Sequence, residues 1–362
     1  MPTYQNTKEI LGSDEATFNA LVANQLTEFN DDTITEVGSY AFYYKTNLQS
    51  IYLPKVKKID GRAFWGCYNL ISIFIGINNV NSVQLSVGNV FDDTGRCVIY
   101  VPDEFVETYR ATNPWSSYSY KIFGISDYPS VEWNETEISD TPEQIASYVS
   151  AGTAASRYNL GQYKTIDLGT EGQIRMQIVG KNMRELANST ETAQLEWLAM
   201  DLLNTSKRMN PYREGEDGNW TEGTGGIGGM LHCELQNYLD TTIWNLIPEV
   251  WQNMIKETKV YTRICDKTGN YIQNDLTIQK LRIPSVREMF GGNGYESQGP
   301  EYKFAFPNNE TRKKCKFGSS STPSWWLRSA NGTTSFMYVV SNGSCSNGNA
   351  NSTYGVALGF ST

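Results

Sequence analysis

The sequence predicts an α+β protein in two parts, a short repeat solenoid followed by a mixed domain of helices and strands. Three observations carry this prediction: a 22-residue repeat in the first third, strand-length and helix-length apolar patterns after it, and a C-terminal segment rich in Asn-Gly turns. With 362 residues, of which 39% are hydrophobic and 12% aromatic, the chain is long enough for two domains that each bury a core.

The repeat consists of eight positions whose residue classes recur 22 positions later. Its period lies in the range of leucine-rich repeats, in which each unit adds one short strand and buries its apolar side only against its neighbours. The predicted strand spans residues 49–53, and its echo spans residues 72–75. The first copy consists of Ile34, Val37, Ala41, Phe42, Asn47, Leu48, Ile51 and Leu53, and the second of Val56, Ile59, Ala63, Phe64, Asn69, Leu70, Ile73 and Ile75.

The order Ala-Phe, four residues, Asn-Leu, and then an Ile-x-Leu-Pro strand resembles the BspA-like class of leucine-rich repeats. Residues 97–102 repeat the strand and its terminal proline, and residues 104–125 resemble the helical cap of such arrays. The resemblance implies a domain over residues 1–126 with three to four units, of which residues 87–91 form a degenerate one. Its role as a binding surface or as a rigid stalk stays open.

Residues 127–140 are acidic, contain a proline and lack periodicity, which is typical of a linker. A second domain over residues 141–362 is therefore expected. It begins with a helix at Pro142 for which Thr141 is the N-cap. The apolar patterns in its first half predict a strand pair at residues 165–169 and 173–182, helices at 191–200, 231–239 and 248–255, and two further strands at 257–263 and 276–283.

The C-terminal tail is polar but carries no charge after Arg328. Asn, Ser and Thr offer short donors and acceptors, Gly permits turns, and Tyr adds a large face at low entropy cost, which is the composition of adaptable contact loops. Apolar runs at residues 336–340 and 356–360 predict strands, and Asn342-Gly343 and Asn347-Gly348 predict turns. An ordered, hairpin-rich tail is therefore favoured over a flexible low-complexity one.

The order WWLRS at residues 325–329, then VVSNGSCSNGNANSTYG, then a terminal VALGF resembles the variable proteins of diversity-generating retroelements from gut bacteria and their phages. In that family, copying errors at adenines change Asn codons to those of Ser, Thr, Tyr, Gly and similar residues. Lys, Glu and Gln, which such errors cannot produce from Asn, are absent after Arg328. Met337 cannot arise in this way either, so it is expected to be a fixed position.

The resemblance implies a C-type-lectin-like (formylglycine-generating-enzyme-like) fold whose variable region spans about residues 329–360 and displays its side chains on one ligand-facing surface. It also implies a receptor-type or adhesin-type protein that binds a protein or a cell-surface ligand. The alternative is a non-variable bacterial surface adhesion or scaffold protein with the same two domains. The expected contact residues are Thr333, Thr334, Ser335, Tyr338, Ser341, Ser344, Ser346, Asn347, Asn349, Asn351, Ser352 and Tyr354. The expected frame consists of Trp325, Trp326, Leu327, Arg328, Val356, Leu358 and Phe360.

Sequence motifs for chemistry are weak. His232 is the one histidine, so every His-based zinc site or Ser-His-Asp triad would have to include it. The Gly-rich segment 218–231 lacks the order of a phosphate-binding loop, and the acids at positions 214, 216 and 217 do not continue into an EF-hand. Formylglycine-generating enzymes hold copper with two cysteines, for which Cys315 and Cys345 are the candidates. We expect no enzyme activity, no metal site and no cofactor.

Charge and hydropathy restrict the partners and the location. A net charge of −9 without a long Lys/Arg cluster argues against nucleic-acid binding. Because no apolar stretch approaches 18 residues and acids interrupt the N-terminus, neither membrane insertion nor a signal peptide is expected. The chain would be synthesised in the cytoplasm and reach a phage virion or a cell surface by lysis or a dedicated route. Six singly placed cysteines indicate reduced thiols, and the oligomeric state stays open.

Overall fold

The computed structural model describes residues 19–21, 23–76, 83–128, 133–210, 233–266, 269–292 and 294–362. The chain divides into two compact units, Met1–Trp133 and Asn134–Thr362. Helices and strands are mixed along the chain, which confirms the α+β class. Residues 134–140, which the sequence places in the linker, are hydrogen bonded within the second unit: the Asn134 and Ile138 amides donate to the carbonyls of Leu160 and Tyr163.

The first unit contains two parallel sheets built from successive repeats. In the larger sheet, Ser50 pairs with Ser72 in register, which is the 22-residue period that the sequence predicts. The larger sheet has the order β1-β3-β5-β7-β8 and the smaller one the order β2-β4-β6. The strands are β1 (Glu28–Asn30), β2 (Glu36–Val37), β3 (Ser50–Leu53), β4 (Lys58–Ile59), β5 (Ser72–Ile75), β6 (Gln84–Leu85), β7 (Val98–Val101) and β8 (Ile122–Gly124).

Equivalent side chains stack along this array. The rings of Phe42 and Phe64 lie 5.1 Å apart and nearly parallel, and those of Phe64 and Phe91 lie 5.2 Å apart. The side-chain amide of Asn69 donates to the carbonyl of Thr46 in the preceding repeat at 2.8 Å. The fourteen apolar residues of the predicted repeat are all buried, whereas Asn47 and Asn69 lie at the surface and bond along the array.

A helical cap closes the array, as the resemblance to BspA-like repeats implies. Helix α1 (Val106–Ala111) is followed by a 3-10 helix at Trp115–Lys121, which leads into β8. The Trp115 indole packs edge-on against Tyr109 at 4.8 Å and donates a hydrogen bond of 2.7 Å to the carbonyl of Val83. Because the last repeat has no following unit to cover it, this aromatic contact buries its apolar side.

The second unit is organised around an antiparallel sheet of order β17-β11-β10-β9. The last strand of the chain therefore pairs with a strand more than 150 residues earlier, where Phe360 is opposite Trp197. Two smaller sheets follow, β12-β13 and β14-β15-β16. The strands are β9 (Tyr163–Asp167), β10 (Gln173–Lys181), β11 (Leu195–Ala199), β12 (Thr258–Cys265), β13 (Tyr271–Gln279), β14 (Trp325–Ala330), β15 (Ser335–Val339), β16 (Cys345–Asn349) and β17 (Gly359–Ser361).

Short helices cover these sheets. In α2, the Thr141 hydroxyl accepts from the Gln144 amide in a capping box, as predicted. A π-helical turn at Leu239–Ile243 joins α4 to α5. In the described part of this unit the α-helices are α2 (Pro142–Ser150), α3 (Ala154–Arg157), α4 (Glu234–Tyr238), α5 (Trp244–Leu246), α6 (Glu249–Met254), α7 (Val286–Phe290) and α8 (Asn309–Arg312).

The helix predicted at residues 191–200 is wrong, because residues Leu195–Ala199 form strand β11 in the middle of the sheet. Leu, Glu and Ala favour helices in isolation. All five residues of the strand are buried, and Glu196 is paired with arginines. Tertiary pairing on both edges therefore overrides the local helix preference.

The stacked phenylalanines yield a stability prediction. Phe64→Ala should lower the free energy of unfolding by about 3–5 kcal/mol, because loss of the ring leaves a cavity between Phe42 and Phe91. Val87→Ala, at a position that is 80% exposed in the same array, should change it by less than about 0.5 kcal/mol. Urea unfolding followed by circular dichroism measures both changes. Equal effects of the two substitutions would contradict the stacked core.

Candidate functional site

The C-terminal tail forms an ordered three-stranded antiparallel sheet of order β14-β15-β16. The predicted turn at Asn342-Gly343 joins β15 to β16, and the Asn342 side chain accepts from the Ser344 amide and hydroxyl at 3.0 and 2.7 Å. The second predicted turn, at residues 346–348, is wrong because those residues lie inside β16. Five consecutive ladder pairs with β15 hold this segment extended.

Burial separates the two predicted sets of tail residues. The seven frame residues are all at most 2% exposed. None of the twelve expected contact residues is buried: Ser341, Asn347 and Asn349 are exposed, and the others are half-buried. The half-buried ones are Thr333, Thr334, Ser335, Tyr338, Ser344, Ser346, Asn351, Ser352 and Tyr354.

The strand register distributes the contact residues over two faces of the hairpin. Ser335 is opposite Asn349, and Met337 is opposite Asn347, so these four share one face. Tyr338 is opposite Ser346 on the other face. The remaining contact residues lie in the connections before β15, between β15 and β16, and after β16. The tail is thus accessible on both faces and at its turns rather than on one flat side.

On one face of the hairpin, three aromatic rings form a cluster. The Tyr354 ring lies 4.6 Å from Trp326 and 4.4 Å from Tyr338. Burial raises the pKa of Tyr354, and its hydrogen bond with Tyr338 raises it further. Gly348 lies under both tyrosines, where a Cβ atom would be 3.1 Å from the Tyr354 ring. These contacts restrict which side chains fit on this face.

On the other face, a stack from a distant segment borders the tail. The Arg263 guanidinium lies 3.7 Å from the ring centre of Tyr271 and 4.3 Å from that of Tyr295. The Tyr295 hydroxyl donates to the Asn331 side chain at 2.9 Å and contacts the sulfur of Met337. Sequence reasoning missed this stack, since its members come from three separate places without a common motif.

The bulky residues at the start of β14 anchor the tail. The Trp325 indole donates to the carbonyl of Arg312 at 3.1 Å, and the Trp326 indole donates to that of Lys207 at 2.8 Å. Arg328 donates two hydrogen bonds to the Glu288 carboxylate, at 2.7 and 2.8 Å. Its remaining donors reach Thr262 and the carbonyls of Ile283 and Tyr261.

Arg328 belongs to a buried ionic cluster that joins distant parts of the second unit. Arg184 bridges the carboxylates of Glu196 and Glu288, which lie 3.1 Å and 2.5 Å from its guanidinium nitrogens. Arg282 pairs with Glu196, which also accepts from Tyr302 and Ser361 at 2.9 Å. The members are all at most 3% exposed: Arg184, Glu196, Arg282, Glu288, Tyr302, Arg328 and Ser361.

The ionic cluster fixes the charge of Glu288. Burial alone would raise the pKa of its carboxyl group, but the guanidinium groups of Arg328, Arg184 and Arg282 lower it well below the ordinary value of 4.5. The carboxylate is therefore ionised in the folded protein at every physiological pH. An uncompensated charge at this depth would cost several kcal/mol, so each partner depends on the others.

Several residues that the sequence singles out for chemistry lie outside the described residues: His232, the acids at 214, 216 and 217, and the Gly-rich segment 218–231. Cys315 and Cys345 are both free thiols. In the described part of the chain, no three His, Cys, Asp or Glu side chains are grouped so as to hold a metal ion. Among the same residues, no helix has the length and apolar character needed to span a membrane.

Glu288→Gln should be strongly destabilising near neutral pH, by about 3–5 kcal/mol, because it leaves buried arginines without their counter-ion. The pKa of Glu288 is lower in the folded state than in the unfolded chain, so its contribution is complete above about pH 4.5 and decreases as the pH falls. The difference between wild type and variant should therefore shrink by about 1.4 kcal/mol for each pH unit below 4.5.

Urea unfolding at pH 6 and pH 3.5 tests this expectation. Glu301→Gln is the matched control, because Glu301 is paired with Arg287 at 3.0 Å but is 25% exposed. It should cost less than about 1 kcal/mol at both pH values. A constant difference for Glu288→Gln across this range would contradict the depressed pKa.

Gly343→Ala tests the tail's turn. Gly343 has φ +85°, and a Cβ atom there would overlap the backbone carbonyl of Asn309. Gly318 has a similar φ of +74°, but open space surrounds its Cα. Gly318→Ala should cost about 1–2 kcal/mol from conformation alone, and Gly343→Ala should cost clearly more. Equal losses in melting temperature would show that α8 moves away without cost.

Comparison with known protein families gives two matches. Residues 13–92 match the BspA type Leucine rich repeat region in six copies, more than the three to four units expected from the sequence. Residues 212–361 match a Domain of unknown function (DUF6273), a range that includes the expected variable region at about residues 329–360. No curated protein matches the chain. The chain therefore carries BspA-type leucine-rich repeats at its N-terminus, followed by a DUF6273 domain.

Proposed function

We propose that this protein binds a protein or cell-surface ligand through its C-terminal tail and acts by recognition rather than by catalysis. The observation that carries the proposal is the division of the tail into buried frame residues and accessible polar residues. Substitutions that do not disturb packing usually change stability by less than about 0.5 kcal/mol. Such a surface can change its specificity while the fold stays intact.

The chemistry of the accessible residues suits protein-type recognition. Ser341, Asn347 and Asn349 offer neutral donors and acceptors, and Tyr338 and Tyr354 offer amphipathic rings held by mutual contact. Arg263, held between Tyr271 and Tyr295, adds a fixed cation beside the otherwise uncharged tail. Tyr and Arg are enriched among the residues that dominate binding energy at protein interfaces.

The finer proposal is that the tail is diversified by a retroelement and displayed on a C-type-lectin-like scaffold. It is supported by the WWLRS frame, the terminal VALGF and a composition that adenine-directed changes of Asn codons would produce. Met337, expected to be fixed, is 6% exposed and contacts the Tyr295 hydroxyl. A fixed packing role agrees with that expectation.

The DNA around the gene tests the diversification proposal. A near-copy of the 3′ coding end that differs mainly at adenines, next to a reverse transcriptase gene, would support it. A gene without such a copy would leave a fixed adhesion or scaffold protein with the same domains. The recognition proposal itself does not depend on that result.

A combined substitution tests whether the accessible residues contribute to the stability of the fold. Ser341→Asn, Asn347→Ser and Asn349→Thr together should shift the melting temperature by no more than about 4 °C, because all three side chains are exposed. Trp326→Ala is the contrasting variant, and it should cost about 3–5 kcal/mol, because it leaves a cavity and removes the indole hydrogen bond to the Lys207 carbonyl. A large loss of stability in the triple variant would contradict the proposed surface.

A further inference from the structure

A second candidate surface lies in the leucine-rich repeats, on the turns that join β2 to β3 and β4 to β5. Six side chains from two successive repeats pack together there, and we refer to them as the tyrosine patch. The Tyr43 ring lies 4.7 Å from Tyr44 and 5.1 Å from Trp65. Gly66 leaves room for the Tyr44 ring, which also lies 5.7 Å from Tyr68. The patch consists of Tyr40, Tyr43, Tyr44, Arg62, Trp65 and Tyr68.

The patch is accessible, although its members are large and mostly aromatic. Tyr44 is 41% exposed, Tyr68 is 49% exposed, and Arg62 is also exposed. Tyr40, Tyr43 and Trp65 are half-buried. Tyr, Trp and Arg are the residue types most enriched among the energetically dominant residues of interfaces. Clusters of exposed large side chains, unlike single ones, are typical of interaction sites.

The backbone of the patch is strained at the residues that supply its side chains. Tyr40, Tyr44 and Arg62 all have left-handed φ values, of 61°, 54° and 58°. Bulky residues rarely adopt this conformation, and such outliers gather at functional sites. In the next repeat, the positions equivalent to Arg62 and Gly66 carry Asn89 and Asp93, which tolerate it well.

The strain argues against a purely structural role for the rings. Asn or Gly at positions 40 and 44 would satisfy the repeat's backbone with less strain, as Asn89, Asp93 and Gly66 do at equivalent turns. The chain instead holds tyrosines there, of which Tyr44 is exposed and Tyr40 is half-buried. Positions 40 and 44 therefore differ from positions 66, 89 and 93 in carrying a large aromatic side chain on the same backbone conformation.

The hydrogen-bonding groups of the patch indicate the kind of partner that it binds. Arg62 and the phenol and indole groups can all donate, and the phenol oxygens can also accept, as that of Tyr40 does from Arg62 at 2.9 Å. No member is a carboxylate or an amide, and the Asp93 carboxylate borders the patch at Tyr68. A proline-rich chain offers only carbonyl acceptors and apolar rings, so it complements this set.

We propose that the tyrosine patch binds a proline-rich segment of a partner protein in the polyproline II conformation. The proline rings pack against the Tyr44, Trp65 and Tyr68 faces, while the phenol groups and Arg62 donate to the segment's carbonyls. Such a segment is already extended before binding, so little conformational entropy is lost. Aromatic-lined surfaces are a general solution for recognising this conformation.

The experiment uses the full chain and a fluorescein-labelled peptide of about ten prolines, which forms roughly three turns of polyproline II. Fluorescence anisotropy measures binding, with a Gly-Ser peptide of equal length as the control probe. The wild type should bind the proline peptide and not the Gly-Ser peptide. Tyr44→Asn should weaken binding at least about tenfold. Its melting temperature should stay close to that of the wild type, because Asn suits a left-handed φ.

Two further variants keep the test decisive. Tyr68→Ala removes an exposed ring without backbone strain, so it should also lose binding even if Tyr44→Asn folds poorly. Tyr52→Asn, at a tyrosine that is 37% exposed on β3 and outside the patch, should bind like the wild type. The proposal is overturned if the wild type does not bind the proline peptide, or if Tyr68→Ala binds it equally well. Selective binding of a cello-oligosaccharide in place of the peptide would overturn it too.

Discussion

The bidentate ion pair between Arg328 and Glu288 is the constraint on which the second unit depends. Arg328 lies on β14 and Glu288 on α7, and the same guanidinium also bonds to Tyr261 and Thr262 on β12. Through Arg184, Glu288 is connected to Glu196 on β11. Apolar residues of similar volume could supply comparable stability, but they would not fix orientation through directed hydrogen bonds. The ionic cluster therefore sets where β14 lies, and with it the start of the tail.

The C-terminal end of the tail is also fixed by specific hydrogen bonds. Strand β17 pairs with β11, and the Gly359 amide and carbonyl both bond to Arg282 at 2.8 and 3.0 Å. The hydroxyl of Ser361 donates to Glu196, and the Trp197 indole donates to the hydroxyl of Thr362. The segment between β14 and β17 is thus a long connection, and both of its ends are anchored in the buried ionic cluster. The exposed positions of this segment, Ser341, Asn347 and Asn349, lie outside that cluster.

The sequence predicts those features that depend on local patterns and fails where distant residues decide. The 22-residue period and the bulky frame at Trp325 and Trp326 are visible because each position repeats or stands out by its size. Strand β11 is missed because its burial comes from two neighbouring strands, and the charge on Glu196 is tolerated only beside arginines more than ten residues away. The Arg263 stack is missed for the same reason, since no local pattern marks a cation held between two remote rings.

The two faces of the hairpin differ in how much change they can accept. Tyr338 packs with Trp326 and Tyr354, and Gly348 lies tightly beneath the two tyrosines, so larger side chains at 348 would displace rings that touch the frame. Asn347 and Asn349 on the opposite face are exposed side chains. If the tail recognises a ligand as proposed, the aromatic face supplies a nearly constant platform. Specificity would then be set mainly by the exposed asparagines and the turns, where a new side chain displaces only water.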